Sequence, residues 1–112
     1  MATKSRAQLV NEALAKLGVI AAGQSAEADD FDVVDGKIES LVDQLSMDDI
    51  CEVNPEEIEA ALFEAVASLL ANISGQPFGV PYNDAVKTTF ERQLIRLTAE
   101  RPTRETLVAD YF

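Results

Sequence analysis

The sequence predicts an all-α fold: a single domain of four main helices over residues 1–101, followed by an extended arm over residues 102–112. Three observations carry this expectation. Apolar side chains recur at helical spacing in four separate stretches, the mark of helices that bury one face. Capping residues, prolines and glycines fall at the ends of those stretches, Gly36 excepted. With 112 residues and 47% hydrophobic side chains, the chain is long and apolar enough to bury one core.

The first helix has its own start and stop. Ser5 is placed to accept a bond from the Gln8 N–H while Gln8 reaches back, a capping box. Leu9, Val10, Ala13, Leu14 and Leu17 then share a face, and Gly18 suits the left-handed residue just past the end. The second helix is expected to start at Asp29 or Asp30 and to bury Phe31, Val34, Ile38, Leu41, Val42 and Leu45. Gly36 lies inside it at a cost of about 1 kcal/mol relative to alanine, marking either a close neighbour or a weak spot. Residues 46–53 read as a turn that returns Met47 and Ile50 to the core.

The third helix is expected to start at Asn54 as N-cap, with Pro55 in its first position and Glu56 and Glu57 at the positive end of its dipole. Ile58, Ala61, Leu62, Ala65, Val66, Leu69, Leu70 and Ile73 give it a wide apolar stripe, and its alanines allow close neighbours. It is therefore expected to be central, ending at Gly75. After the Pro/Gly-rich link 76–81, a fourth helix from Asn83 or Asp84 turns Val86, Phe90, Leu94 and Leu97 to one face. It closes at Arg101, because a residue before proline is pushed out of the helical region. The expected core centres on Leu14, Leu17, Leu41, Leu62, Val66, Leu69 and Phe90.

Composition narrows the chemistry. No run of about 18 apolar residues exists, so no membrane span is expected. Residues 1–6 lack the apolar segment of a secretory signal. The single cysteine, Cys51, excludes an internal disulfide framework; with no histidine, neither zinc nor haem is expected. The net charge of −11 is concentrated rather than spread. Residues 1–80 hold Lys4, Arg6, Lys16 and Lys37 against fifteen Asp and Glu, whereas residues 81–112 are balanced. Such a surface repels nucleic-acid phosphates, so sequence-specific nucleic-acid binding is not expected. It suits either a solubilising face or the wall of a conduit past which DNA slides.

Two segments carry a family likeness. Leu9-Val10-x-x-Ala13-Leu14-x-Lys16-Leu17-Gly18-Val19, and the acidic, leucine-bearing run from Asp32 to Leu45, resemble the opening helices of head-to-tail adaptor proteins of tailed bacteriophages. The likeness covers about residues 5–75; the last third matches in layout only. It implies a non-enzymatic virion protein, made in the bacterial host cytoplasm and assembled at the head–tail junction. There it would form a ring under the portal and extend the DNA channel toward the tail. The implied partners are the portal protein, the next tail or head-completion protein, and copies of itself. No cofactor and no membrane enter that reading. The long polar C-terminal extension of the larger tail-accessory members is not matched, so no large fibre-binding arm is expected.

Catalytic alternatives have little support in the residues. Cys51 lies beside Asp49 and Glu52, which work against a reactive thiolate, and it reads as a small apolar filler. A calcium loop started at Asp30 fails, because Asp35 takes the glycine position and Leu41 the closing glutamate position. An acyl-carrier-like domain needs Asp-Ser-Leu at the start of its second helix, whereas Ser46 here follows Leu45 near a helix end. An acidic protein-binding module, such as a DNA mimic or inhibitor, fits the charge and stays as the second reading.

Two sets of interface residues follow. A closed ring joins one face of a subunit to a different face of the next. Asp35, Glu39 and Asp43 are expected to meet Arg92 and Arg96 of a neighbour, with Arg101 and Arg104 extending the basic stripe. Beyond Pro102, Leu107, Val108, Tyr111 and Phe112 have too little local sequence to build a core. They are expected to dock on the portal or a neighbouring subunit, with packing back on the chain's own helices as the alternative.

Overall fold

A computed structural model describes residues 2–21, 24 and 26–99. The fold is all-α, with one small two-stranded sheet. Strand β1 (Thr3–Ser5) runs into helix α1 (Arg6–Lys16), followed by α2 (Ala28–Asp35) and α3 (Ile38–Met47). Strand β2 (Glu57–Glu59) leads directly into α4 (Ala60–Ser74); a 3₁₀ turn (Gln76–Phe78) then connects to α5 (Asp84–Ala99).

Helix α1 forms as its sequence dictates. The Gln8 N–H donates to Ser5 Oγ at 3.1 Å, and the Ser5 N–H donates to Gln8 Oε1 at 2.8 Å. At the other end Gly18 is left-handed (φ 78°), with Val19 N–H bonded to the Leu14 carbonyl and Gly18 N–H to that of Ala15. This is a Schellman close, which satisfies two carbonyls the helix would otherwise leave open.

The expected second helix is broken in two. Gly36 closes α2 by donating to the Asp32 carbonyl, Lys37 tightens to the Val34 carbonyl, and α3 restarts at Ile38. Glu27 is the N-cap residue of α2 and makes no side-chain cap bond, so Asp29 and Asp30 lie in the first turn rather than capping it. The weak spot at Gly36 is thus a joint, and the two halves still turn Val34, Ile38, Leu41 and Leu45 into one core. Met47 does not return to that core. It ends α3 with 82% of its surface exposed, because helical spacing puts it on the side opposite Ile38, Leu41 and Leu45, while Ile50 and Val53 beyond the helix are buried.

The third expected helix starts later than its sequence suggests. Asn54 does cap, but only a turn: its Oδ1 accepts from the Glu56 N–H and its carbonyl from that of Glu57. The chain then extends, and Thr3, Lys4 and Ser5 pair antiparallel with Glu59, Ile58 and Glu57. Strand alternation buries Ile58 completely while Glu57 stays outside. Helix α4 begins only after that pairing, and it is central, packing against α1, α2, α3, α5 and both strands. Leu62, Phe63, Ala65, Val66, Ala67, Leu69, Leu70 and Ala71 are all buried along it. Each large one contributes roughly 1.5–3 kcal/mol.

Helix α5 lies against α4 and buries only Leu94 fully, with Phe90 and Leu97 half-buried on the same side. Its start is fixed by Asn83, whose Oδ1 accepts from the Ala85 N–H at 2.8 Å. Asn72 on α4 holds that cap with two bonds, accepting from the Asn83 N–H at 2.9 Å and donating to the Asn83 carbonyl at 3.0 Å. Leu14, Leu41, Leu62, Val66 and Leu69 are buried as expected. Leu17 and Phe90 are half-buried, since both line an open groove between α1, α4 and α5.

Candidate interaction surfaces

The expected acidic face is organised around one cation. Arg6 opens α1, and its Nε donates to Asp35 Oδ1 at 2.7 Å. Its Nη1 donates to Glu39 Oε2 at 2.9 Å and Glu56 Oε2 at 3.1 Å, and its Nη2 to the Asp35 carbonyl at 3.3 Å. The joint at Gly36 explains the last bond, because the break leaves that carbonyl turned toward α1. The Asp35 hydrogen bond, followed by that from Glu39, raises the guanidinium pKa above its already high ordinary value. Arg6 therefore keeps its charge across all ordinary pH. Asp35 and Glu39 are brought together, and they serve α1 of their own chain. Asp43 sits one turn beyond Glu39 on α3, exposed and outside the Arg6 cluster.

Arg92 and Arg96 lie on the outer face of α5, one turn apart, and neither pairs with a carboxylate among the described residues. The flank of the same helix is self-contained. Lys87 Nζ pairs with Glu91 at 3.0 Å, and that hydrogen bond raises the lysine's pKa. The nearby Tyr82 phenol is pushed up first by desolvation and then by Asp84. The outer face between Ala85 and Ala99 consists of Ala85, Thr88, Thr89, Arg92, Ile95, Arg96 and Ala99. It carries no acidic side chain, in a chain that has twenty. Ile95 sits among the two arginines with 48% of its surface exposed.

The remaining expected contact residues, Leu107, Val108, Tyr111 and Phe112, lie outside the described residues, as do Arg101 and Arg104. The groove between α1, α4 and α5 is apolar, with Leu17, Ala71, Val80, Val86 and Phe90 along it and Lys16 and Asn72 at its polar edge. Lys16 is itself held by Glu64 at 3.0 Å.

Sequence reasoning missed two of the residues that shape these surfaces. Arg6 counted only as one of four early cations, and Glu56 only as a dipole partner for a helix that starts later. A signal for Arg6 was present: it is the sole arginine before residue 92, placed at the first position of a capped helix. Among the described residues no group of three or more His, Cys, Asp or Glu is arranged to hold a metal ion. No helix there is long and apolar enough to cross a membrane. No family model matches the chain, and no curated protein or solved structure is significantly similar to it.

Proposed function

We propose that this chain is a non-enzymatic structural protein of a phage virion, a head-to-tail adaptor that assembles as a ring under the portal. In this reading it extends the DNA channel and offers a new ring to the next tail or head-completion protein. The observation that carries the proposal is the wording of residues 5–19 and 32–45, with its likeness to the opening helices of such adaptors. The separation of charge supports it: acidic side chains dominate α2 and α3, while beyond Asp84 the outer face of α5 carries Arg92 and Arg96 and no acid. An acidic wall lets DNA pass without adhering. Unlike faces on one subunit are also what a closed ring needs.

The test is to mix the full chain with the portal protein from the same genome and image the product by electron microscopy. A ring of added density at the portal exit is the expected result. A portal that stays bare at micromolar chain would overturn the proposal. A second reading, an acidic module that occupies a basic protein surface, rests on the net charge of −11. It predicts capture by a DNA-binding protein and release by competing DNA, with no affinity for portal.

A further inference from the structure

We infer that the outer face of α5 docks on the outer face of α3 of a second copy of this chain, with Ile95 against Met47 and Arg92 and Arg96 beside Asp43. The contact deepens the ring reading, on which it rests for the assembly it serves; the two patches themselves are read directly from the fold.

Each patch is the counterpart of the other. On α3, Ile38, Leu41 and Leu45 turn inward, which leaves Glu39, Asp43 and Met47 in line on the opposite side. Met47 is the most exposed large apolar side chain among the described residues, and Asp43 stands one turn before it. On α5, Leu94 turns inward and Arg92, Ile95 and Arg96 turn out. Both patches therefore hold one uncovered apolar side chain flanked by charge, negative on α3 and positive on α5. Glu39 is already held by Arg6, so Asp43 is the carboxylate of this stripe left for an incoming arginine. Helix α3 also ends at Met47, where its dipole adds negative potential beside the patch.

Two α3 faces would repel each other, and so would two α5 faces. The contact is thus head-to-tail, the type that closes into rings or runs on as filaments. A patch of this size gives weak, salt-sensitive association that a scaffold can reinforce.

Sedimentation of the full chain from roughly 10 μM to 1 mM tests the contact, spanning weak affinities, at about 20 mM and 500 mM salt, where screening differs severalfold. Association is expected at the low salt and not at the high. Arg92→Glu with Arg96→Glu, in one chain, is expected to weaken it by about tenfold or more. Asp43→Lys with Ser40→Lys, an exposed position on α3 one turn before Asp43, in another chain, is expected to do the same. An equimolar mixture of the two variants regains association, because each then meets an opposite charge on the other. Far-UV circular dichroism of each variant confirms that it is folded. A chain that stays monomeric at 1 mM and low salt, variants that associate as the parent does, or a mixture that gains nothing would each overturn the inference. A monomeric chain that still decorates portal retires only this contact, whereas a self-associating chain that ignores portal retires the adaptor reading.

Discussion

Gly75 offers a sharp test of how α4 and α5 are joined. Its backbone is ordinary right-handed helix (φ −76°, ψ −24°), so alanine would fit its torsion angles without strain. On torsion alone, Gly75→Ala should stabilise the chain by about 0.4–1 kcal/mol, through the loss of freedom in the unfolded state. The neighbours reverse the sign. An alanine Cβ would stand 2.8 Å from the Val80 carbonyl oxygen, 3.0 Å from Val80 Cβ and 3.1 Å from Leu17 Cδ2. The carbonyl is the decisive contact, about 0.6 Å short of an ordinary 3.4 Å approach. It belongs to backbone that cannot swing aside, because the Val80 N–H is bonded to the Gly75 carbonyl at 3.0 Å and Gly79 holds a left-handed turn. Overpacking of this kind costs about 1–3 kcal/mol, so after the torsional gain the net expectation is a loss of about 1 kcal/mol. Urea unfolding followed by circular dichroism measures it. Gly36→Ala in the same assay is the control, since that Cβ meets only carbonyls of its own turn, the nearest at 3.3 Å, and should be neutral or stabilising by up to about 1 kcal/mol. A Gly75→Ala chain as stable as the parent would show that the 75–80 turn is free to move, and the reasoning would fall.

Two other substitutions probe the rest of the fold. Leu62 is 2% exposed in the middle of α4, and Leu62→Ala should cost about 2–5 kcal/mol in urea unfolding; a loss below about 1 kcal/mol would contradict a central α4. Arg6→Gln leaves Asp35, Glu39 and Glu56 facing one another. It should cost about 2 kcal/mol, chiefly through the less exposed Asp35 bond, because Glu39 and Glu56 are about two-thirds exposed and contribute little. The penalty should shrink as salt screens the three carboxylates, and a loss that is the same at low and high salt would contradict the clamp.

What was legible in the sequence was local. The Ser5 box, the Gly18 close, the long stripe of α4 and the Asn83 start of α5 are each decided within a few residues, by rules that need no partner. What was not legible depended on a second segment. Asn54-Pro55 is a sound helix start, and nothing nearby reveals that Thr3–Ser5 will pair with residues 57–59 and delay α4. Ile58 fits a helical stripe and a strand alternation equally well, so its burial was foreseen for the wrong element. Gly36 reads as a weak spot, but that the joint there frees the Asp35 carbonyl for Arg6 depends on α1, thirty residues away. Met47 is apolar and so reads as core, but the phase of α3 puts it opposite Ile38, Leu41 and Leu45 and leaves it in solvent.

The Arg6 clamp also decides what the acidic face can offer a partner. Asp35, Glu39 and Glu56 come from three different parts of the chain and meet on one guanidinium, so together they behave as internal structure. A neighbour that drew Asp35 or Glu39 away would have to leave Arg6 short of partners while α1 and the Gly36 joint depend on it. An exposed carboxylate outside the clamp carries no such penalty. Asp43 is one, and it stands beside the one large apolar side chain that α3 leaves in solvent. The surface available for assembly is therefore displaced by a turn along α3 from the centre of charge, toward Met47 and away from Arg6.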